Sequence, residues 1–380
     1  SNFTKNILTS YTGYIKIILV KNMIINKKLI GSIIILAIFI VAFILINRSY
    51  ATAFFLEKGI AYFKNESAAK SKINIAIALT LSPKNPVAWV YWGNLARGIK
   101  PDLESENPYH NSDFKRALRA YEKAFSYGIS KEDPQLYFSV LDNAVLAYWQ
   151  LGEYDKATNL ALKQIELFPR EAFWARRFVA YDYFNRLNKP DEALNQLLTI
   201  TNQPRALLNI EKNVYKQIYL DLTRLYLYHG NYEDAKKSAM IILNSANPKT
   251  DNGILETTHL YLAYIDGKDK NFASATAHME EIKRIGGSME LFNCGLAYVY
   301  FLRGDYMVAY ERAMSIKDFE YISYQFLCLQ VLGESLYATG DKSNAKKYFE
   351  EYINLSESIG NRNYFLIRNR EKIRKYLEEI

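Results

Sequence analysis

The side chains of this 380-residue sequence best suited to nucleophilic or metal chemistry are two thiols, Cys294 and Cys328, and four imidazoles, His110, His229, His259 and His278. A metal site would set such ligands at short fixed intervals, as in H-E-x-x-H or C-x-x-C, because one helix face or one knuckle must deliver them to a single ion. The histidines show no such spacing and have no Cys close by. The phosphate-cradling G-x-x-x-x-G-K-[ST], the dinucleotide G-x-G-x-x-G and the esterase-type G-x-S-x-G are likewise missing. Carboxylates are abundant, but their spacing follows exposed helix faces, and the tyrosines recur at packing positions. The sequence therefore offers no catalytic residue, no metal ligand and no cofactor site, and an autonomous enzyme is not expected. The chemistry left is recognition by aromatic rings and guanidinium groups, which protein-binding hot spots favour.

The net charge of +8 does not mark a nucleic-acid partner. Lys5, Lys16, Lys21, Lys27 and Lys28 carry most of it, without one acidic residue among the first 28, so the remainder is nearly neutral. A basic run near the end, Arg368, Arg370, Lys372, Arg374 and Lys375, is interleaved with Glu371, Glu378 and Glu379 and reads as the solvated face of a terminal helix.

Behind the basic leader (1–28) lies an unbroken apolar run, Leu29 to Ile46, with nothing more polar than Ser32. As a helix it would be roughly 27 Å long, against roughly 30 Å of bilayer hydrocarbon. A core helix would carry a polar stripe, and this run has none. Residues 29–47 are expected to be an uncleaved signal-anchor helix in contact with membrane lipid. A cleaved signal peptide fits poorly, because the leader and the run are both too long. The lysine bias places the N-terminus in the cytoplasm and the rest of the chain outside, across a bacterial inner membrane. Within the leader, Tyr14 to Val20 is either a short interfacial helix or part of a basic tail.

The segment from residue 48 to the end repeats one outline. An apolar helix carrying an aromatic gives way to Gly-acid-aromatic, then Ala, then a second helix. Tyr148-Trp149-Gln150-Leu151-Gly152-Glu153-Tyr154-Asp155-Lys156-Ala157 is one copy; others surround Gly230 and Ala235, Gly304 and Ala309, and Gly340 and Ala345. The Gly ends the first helix in a left-handed conformation that costs little without a Cβ. The Ala begins the second helix where the two approach most closely. Such hairpins leave an apolar side open and must stack.

This outline resembles the tetratricopeptide repeat family. Trp89-Val90-Tyr91-Trp92-Gly93-Asn94-Leu95-Ala96 matches W-x₂-L-G-x₂-Y with Trp for Leu and Ala for Tyr, and Ala78 to Pro83 matches the A-x₄-P end of the second helix. The close-packed positions are Ser71, Ala117, Ala157, Ala193, Ala235, Ala275, Ala309 and Ala345, spaced 34 to 46 residues apart. In two repeats Asn188 and Lys270 stand where the turn Gly belongs. The resemblance implies an all-α fold over residues 48–380. It would be a right-handed α-α superhelix, a TPR-like solenoid of about eight hairpins, behind one N-terminal transmembrane helix. Residues 363–380, apolar at Phe365, Ile367, Ile373 and Leu377 and charged elsewhere, suit a C-terminal capping helix. Residues 98–113 read as an exposed loop with an acidic run. Helix either runs unbroken from the apolar segment into the first repeat or breaks near Asn47 to Ser49.

Cys294 and Cys328 fall in the first helices of adjacent repeats, two positions apart in register. Helix axes about 8–10 Å apart, against the roughly 7 Å that a disulfide tolerates between Cα atoms, predict two free buried thiols. The resemblance also implies a binding groove lined by the first helix of each hairpin. Its positions here are Trp149, Asp182, Arg186, Arg224, Tyr228, Tyr264, Tyr298, Phe301 and Tyr337. The Lys/Asn pattern of chaperone-binding members is missing, since Asp142 and Leu146 stand in its place. The expected function is a non-enzymatic scaffold binding protein subunits of a membrane-associated complex, itself included. It is similar in plan to the periplasmic repeat proteins that build collars around flagellar motors. The alternatives are a chaperone-like or quality-control module at the membrane, and an accessory subunit of a membrane enzyme complex.

Overall fold

The structure, a computed structural model, describes residues 27–98, 112–203, 212–316, 322–358 and 364–380. Among them every regular element is a helix. The leader's Tyr14 to Val20 and most of the 98–113 loop lie outside the described residues. So do the side chains of Phe365 and Ile367 in the capping helix.

The apolar run is helical throughout, as α1 (Lys27–Ile46). Its side chains are described from Ser32 to Val41, all exposed to solvent. Among the described residues no helix is long and apolar enough to cross a membrane. Helix α2 (Arg48–Lys64) follows directly, and the two are separated by Asn47 alone, at φ −102° and ψ 40°. The expected choice between continuity and a break resolves to a one-residue interruption.

The chain forms two compact units, residues 1–164 and 165–380. The first contains hairpin α2 with α3 (Ala68–Leu81) and hairpin α4 (Pro86–Arg97) with α5 (Phe114–Ser126). A single turn, α6 (Ile129–Glu132), leads to α7 (Pro134–Gln150) and α8 (Tyr154–Leu167), within which the unit ends. The second pairs α9 (Phe173–Asn185) with α10 (Pro190–Thr201), α11 (Lys212–Tyr228) with α12 (Tyr232–Ser245), and α13 (Asn252–Lys268) with α14 (Phe272–Arg284). It continues with α15 (Met289–Arg303) and α16 (Tyr306–Met314), then α17 (Ile322–Ala338) and α18 (Lys342–Ser358). A final helix, α19 (Tyr364–Glu379), closes the chain. The first helix of each pair is called A below and the second B.

The packing logic read from the sequence holds at every hairpin. Ser71, Ala117, Ala157, Ala193, Ala235, Ala275, Ala309 and Ala345 are all completely buried. On the facing A helices, glycines complete the close fit: a Cβ on Gly93 would lie 2.4 Å from the Tyr121 ring, and one on Gly333 2.4 Å from Phe349. The turns repeat one hydrogen bond, from the residue after the left-handed position back to the carbonyl five residues earlier. It joins Glu153 to Tyr148, Asn231 to Tyr226, Asp305 to Tyr300 and Asp341 to Leu336. Asn188 and Lys270 adopt the same conformation without being glycine, at φ 54° and 60°; Asn271 bonds Asp266 over the same five residues, whereas Lys189 reaches back six, to Tyr183.

The cysteines depart from expectation. Cys294 and Cys328 form a disulfide, with Cα atoms 5.2 Å apart and 34 residues of separation. The error was to set an axis-to-axis spacing against a Cα criterion. Cα atoms ride on a cylinder of about 2.3 Å radius, so facing positions on helices about 8–10 Å apart approach to roughly 3–5 Å. The register was also counted from the B-helix alanines, whereas α15 and α17 meet directly, in a cluster formed by both cysteines with Ala297, Val331 and Leu332.

Candidate functional site

The A helices carry the residues that the sequence pattern selects for binding. Trp149 belongs to the first unit, where its ring packs edge-on against Tyr154 at 4.5 Å. Nearby, Gln164 donates to Asp142 at 2.9 Å. Burial, opposed by that hydrogen bond, pushes the Asp142 carboxyl up to about 6. An acid sits where a carboxylate-gripping lysine would be needed, which removes the clamp chemistry.

The other eight positions belong to the second unit and fall into two stretches. In the polar stretch, Asp182 is fully buried on α9 and takes a two-pronged ion pair from Arg186 one turn on, at 2.7 and 2.9 Å. Such paired charge-assisted bonds fix the guanidinium plane. Neighbouring A helices are stitched together here. Arg177 on α9 bonds Asp221 on α11 at 2.8 Å, and Arg224 on α11 reaches Asn185 on α9 at 3.3 Å. The Arg224 guanidinium lies 5.1 Å above the Phe184 ring, and Tyr228 meets the same ring edge-on. In the aromatic stretch, Tyr264 on α13 stacks on Tyr298 on α15 at 5.6 Å with planes 10° apart, and Phe301 lies 6.1 Å from Tyr298. Burial, then the neighbouring Tyr264 and Glu334, push the Tyr298 phenol well above its usual range. Sequence counting thus placed residues from successive repeats side by side.

Tyr337 is the exception to an open face. Its ring lies 4.8 Å from Tyr376 of α19, and its hydroxyl donates to Glu379. The C-terminal helix, expected only to cap the last hairpin, also touches α9, the first A helix of the unit. Five A helices laid straight would separate α9 from α17 by about 32–40 Å. The 16 residues of α19 measure only about 24 Å. The A helices of this unit therefore wind around α19.

Sequence reasoning missed Glu334, the anchor of that contact. It is 3% exposed and receives Lys372 of α19 at 2.7 Å and Gln330 at 3.0 Å. Burial works to lower the Lys372 ammonium, but Glu334 and Tyr376 hold it above its usual value. A signal existed: Glu334 is the sole charged residue in the sequence of α17. The expectation of a solvated face holds for Lys372, whose side chain is 49% exposed although its ammonium pairs with a buried acid, and fails for Arg370, which is 8% exposed. Arg374 keeps a half-exposed pair with Glu357 at 2.9 Å.

A second unforeseen cluster joins α13 and α14. The Nδ1 atoms of His259 and His278 lie 3.1 Å apart, and His278 Nε2 is 3.5 Å from Asp266. Asp266 is buried and also receives Lys236 at 2.6 Å. Among the described residues no group of three or more His, Cys, Asp or Glu side chains could hold a metal ion. A small hollow of about 10 Å³ beside Phe184, Asp221 and Arg224 has room for about one water. An opening of about 640 Å³ between the start of α2 and the end of α3, lined by Arg48, Leu56, Leu81 and Lys84, is wide to solvent.

No family model matches the chain, and no curated protein does. Solved structures do resemble it. The apo form of RapI aligns at 14% identity over 86% of this chain and 98% of that one, with a TM-score of 0.52. A tetratricopeptide repeat protein from Parabacteroides merdae aligns at 14% identity over 87% and 98%, with a TM-score of 0.49. PilF of Pseudomonas aeruginosa aligns at 16% over 64% and 96%, with a TM-score of 0.45. At these identities the likeness concerns the fold alone. The stacked hairpins make the described chain an α-solenoid like that of tetratricopeptide repeats, and the likeness to RapI is one of fold.

The histidine pair predicts a pH dependence. Burial, then the adjoining His278, lower the His259 imidazole to about 4; burial also lowers His278, against the opposing pull of Asp266. The unfolded chain, with ordinary imidazoles near 6.5, then binds protons that the folded chain refuses. This contribution to stability is complete above about pH 6.5 and is lost as the pH falls toward 4. Urea unfolding of the natural chain and of His278→Gln should diverge across that window, the natural chain losing stability more steeply. Parallel pH profiles would contradict it.

Proposed function

We propose that this chain is a non-enzymatic assembly scaffold whose A-helix face binds protein subunits of a membrane-associated complex. The supporting observation is that A-helix side chains meet across successive repeats in two places, Arg224 and Tyr228 against Asn185 and Phe184, and Tyr264 against Tyr298, with the ion pair of Asp182 and Arg186 on the first of these helices. Arg and aromatic side chains held rigidly by their neighbours bind at a low cost in conformational entropy, as interface hot spots do. The test is to place a photo-crosslinking residue in cells at Arg224, on the A face, and at Met240, on the exposed side of α12. The scaffold reading expects discrete adducts with one or a few partners, or with a second copy, from Arg224 only. A broad smear of nascent or unfolded chains would favour the chaperone-like alternative and overturn the scaffold.

The finer reading anchors this solenoid in a bacterial inner membrane through residues 29–47, with the repeats on the outer side as part of an envelope machine such as a flagellar-motor collar. Two features support it. The apolar run from Leu29 to Ile46 stands one residue from the first repeat. The disulfide between Cys294 and Cys328 suits an oxidising compartment, since cytosolic thiols are kept reduced. Cells quenched in acid, denatured and exposed to a maleimide should show both cysteines blocked until a reductant is added. Two thiols reactive without reduction would place the solenoid on the cytoplasmic side.

A further inference from the structure

At the end of the second unit the chain's own α19 covers the last hairpin, α17 and α18, including the A-helix positions Glu334 and Tyr337. Four kinds of contact hold it. Lys372 pairs with buried Glu334 at 2.7 Å. Ile373 is completely buried in a cluster with Phe326, Leu336, Phe349 and Tyr352. Tyr376 stacks on Phe349 at 5.2 Å with planes 8° apart. Arg370 donates to the Ser356 carbonyl at 2.7 Å. Basic, apolar and aromatic side chains thus fall on one helix face, at 372, 373, 376 and 377, in the i, i+1, i+4, i+5 pattern by which amphipathic helices enter grooves.

The fit is incomplete in one place. Tyr352 is wholly buried beneath α19, and its hydroxyl lies beside Asn369 of α19 without a hydrogen bond of good geometry. A buried donor left poorly satisfied is destabilising, and an occupant with a better placed polar group would relieve it. The rest of the attachment mixes the apolar contacts of Ile373 and Tyr376 with polar ones through Lys372, Asn369, Arg374 and Glu379, and water can compete for the polar ones.

We propose that α19 is a built-in occupant of a helix-binding site, and that the site's other occupant is a basic amphipathic helix from a partner protein. That helix carries a Lys or Arg for Glu334, followed directly by an aliphatic residue and, four positions after the cation, by an aromatic one. The charge of the site argues for this chemistry. Glu334 is the acid of an otherwise uncharged α17, and burial makes it costly to leave without a cation. An acidic or neutral helix would strand it. The arrangement makes α19 an autoinhibitor: a partner must offer a better fit than a tethered segment at high effective concentration. The inference rests on the reading of the A-helix face as a binding face, but it concerns a different part of that face from Arg224.

The probe is a fluorescent peptide of residues 364–380, titrated into the purified full chain. Lys372→Glu sets an acid against Glu334 and should loosen α19 in cis, so the peptide should bind this variant at least tenfold more tightly than the natural chain. The companion variant Glu334→Lys should lose the natural peptide and bind a peptide carrying Lys372→Glu. Equal peptide affinity for the natural chain and Lys372→Glu, or natural-peptide binding indifferent to Glu334→Lys, would overturn the proposal. Hydrogen exchange on the natural chain decides the matter even if the variants misfold. The amides of α19 should exchange at least tenfold faster than those of α15 and α17, and exchange at the common rate of the unit would make α19 an integral core helix. Failure here alongside discrete adducts from Arg224 would leave the scaffold standing and remove only the cis-occupied site.

Discussion

The close approach of the two helices within each hairpin sets the other distances in this structure. It is possible only because one small residue on each B helix, Ser71 or one of the seven alanines, leaves room for the facing A helix. Gly93 and Gly333 do the same from the opposite side, admitting the rings of Tyr121 and Phe349. Packing at crystal-like density transmits a change of one methylene to its neighbours, so these contacts fix the tilt of every hairpin. The tilt in turn determines which A-helix residues of successive repeats meet. Arg177 finds Asp221, Arg224 finds Asn185, and Tyr264 stacks on Tyr298 because the hairpins bring their A helices side by side.

The same curvature explains why the C-terminal helix does more than cover an end. A straight row of A helices would offer α19 only the last hairpin. The wound row brings α9 within its reach, so α19 meets both ends of the A-helix row. Glu334 makes that occupancy specific. A carboxylate buried among apolar neighbours demands a cation, and Lys372 supplies it. Fold, curvature and recognition are consequences of one spacing rule applied eight times.

Much of this could be read from residue types. Alanine at the close contact and glycine at the turn are dictated by local sterics, and local sterics are written in sequence. Asn188 and Lys270 show the limit of that rule, since tertiary packing holds non-glycine residues in the left-handed conformation when the rest of the hairpin demands it. What escaped was long-range. The pairing of Cys294 with Cys328 depends on the facing of two A helices, which counting from B-helix alanines does not give. The roles of Glu334 and Lys372 depend on a contact between residues 38 apart in sequence, set by superhelical curvature rather than by either helix alone. Among the nine groove positions, the polar and aromatic stretches were legible because they follow the repeat. The covering of Tyr337 was not, because α19 lies outside it.

The spacing rule can be measured where it is most exposed to failure. Ala235 can be enlarged in steps to Ser, Val and Leu, and native-state hydrogen exchange followed in hairpin α11–α12 against an unaltered hairpin. Overpacking a tight contact costs about 1–3 kcal/mol, roughly a 5- to 150-fold loss of protection. The account predicts a graded loss with side-chain volume, confined first to the altered hairpin and its neighbours. Protection that stays level from Ala through Leu would mean that the close helix contact does not set the hairpin, and the structural argument built on it would fall.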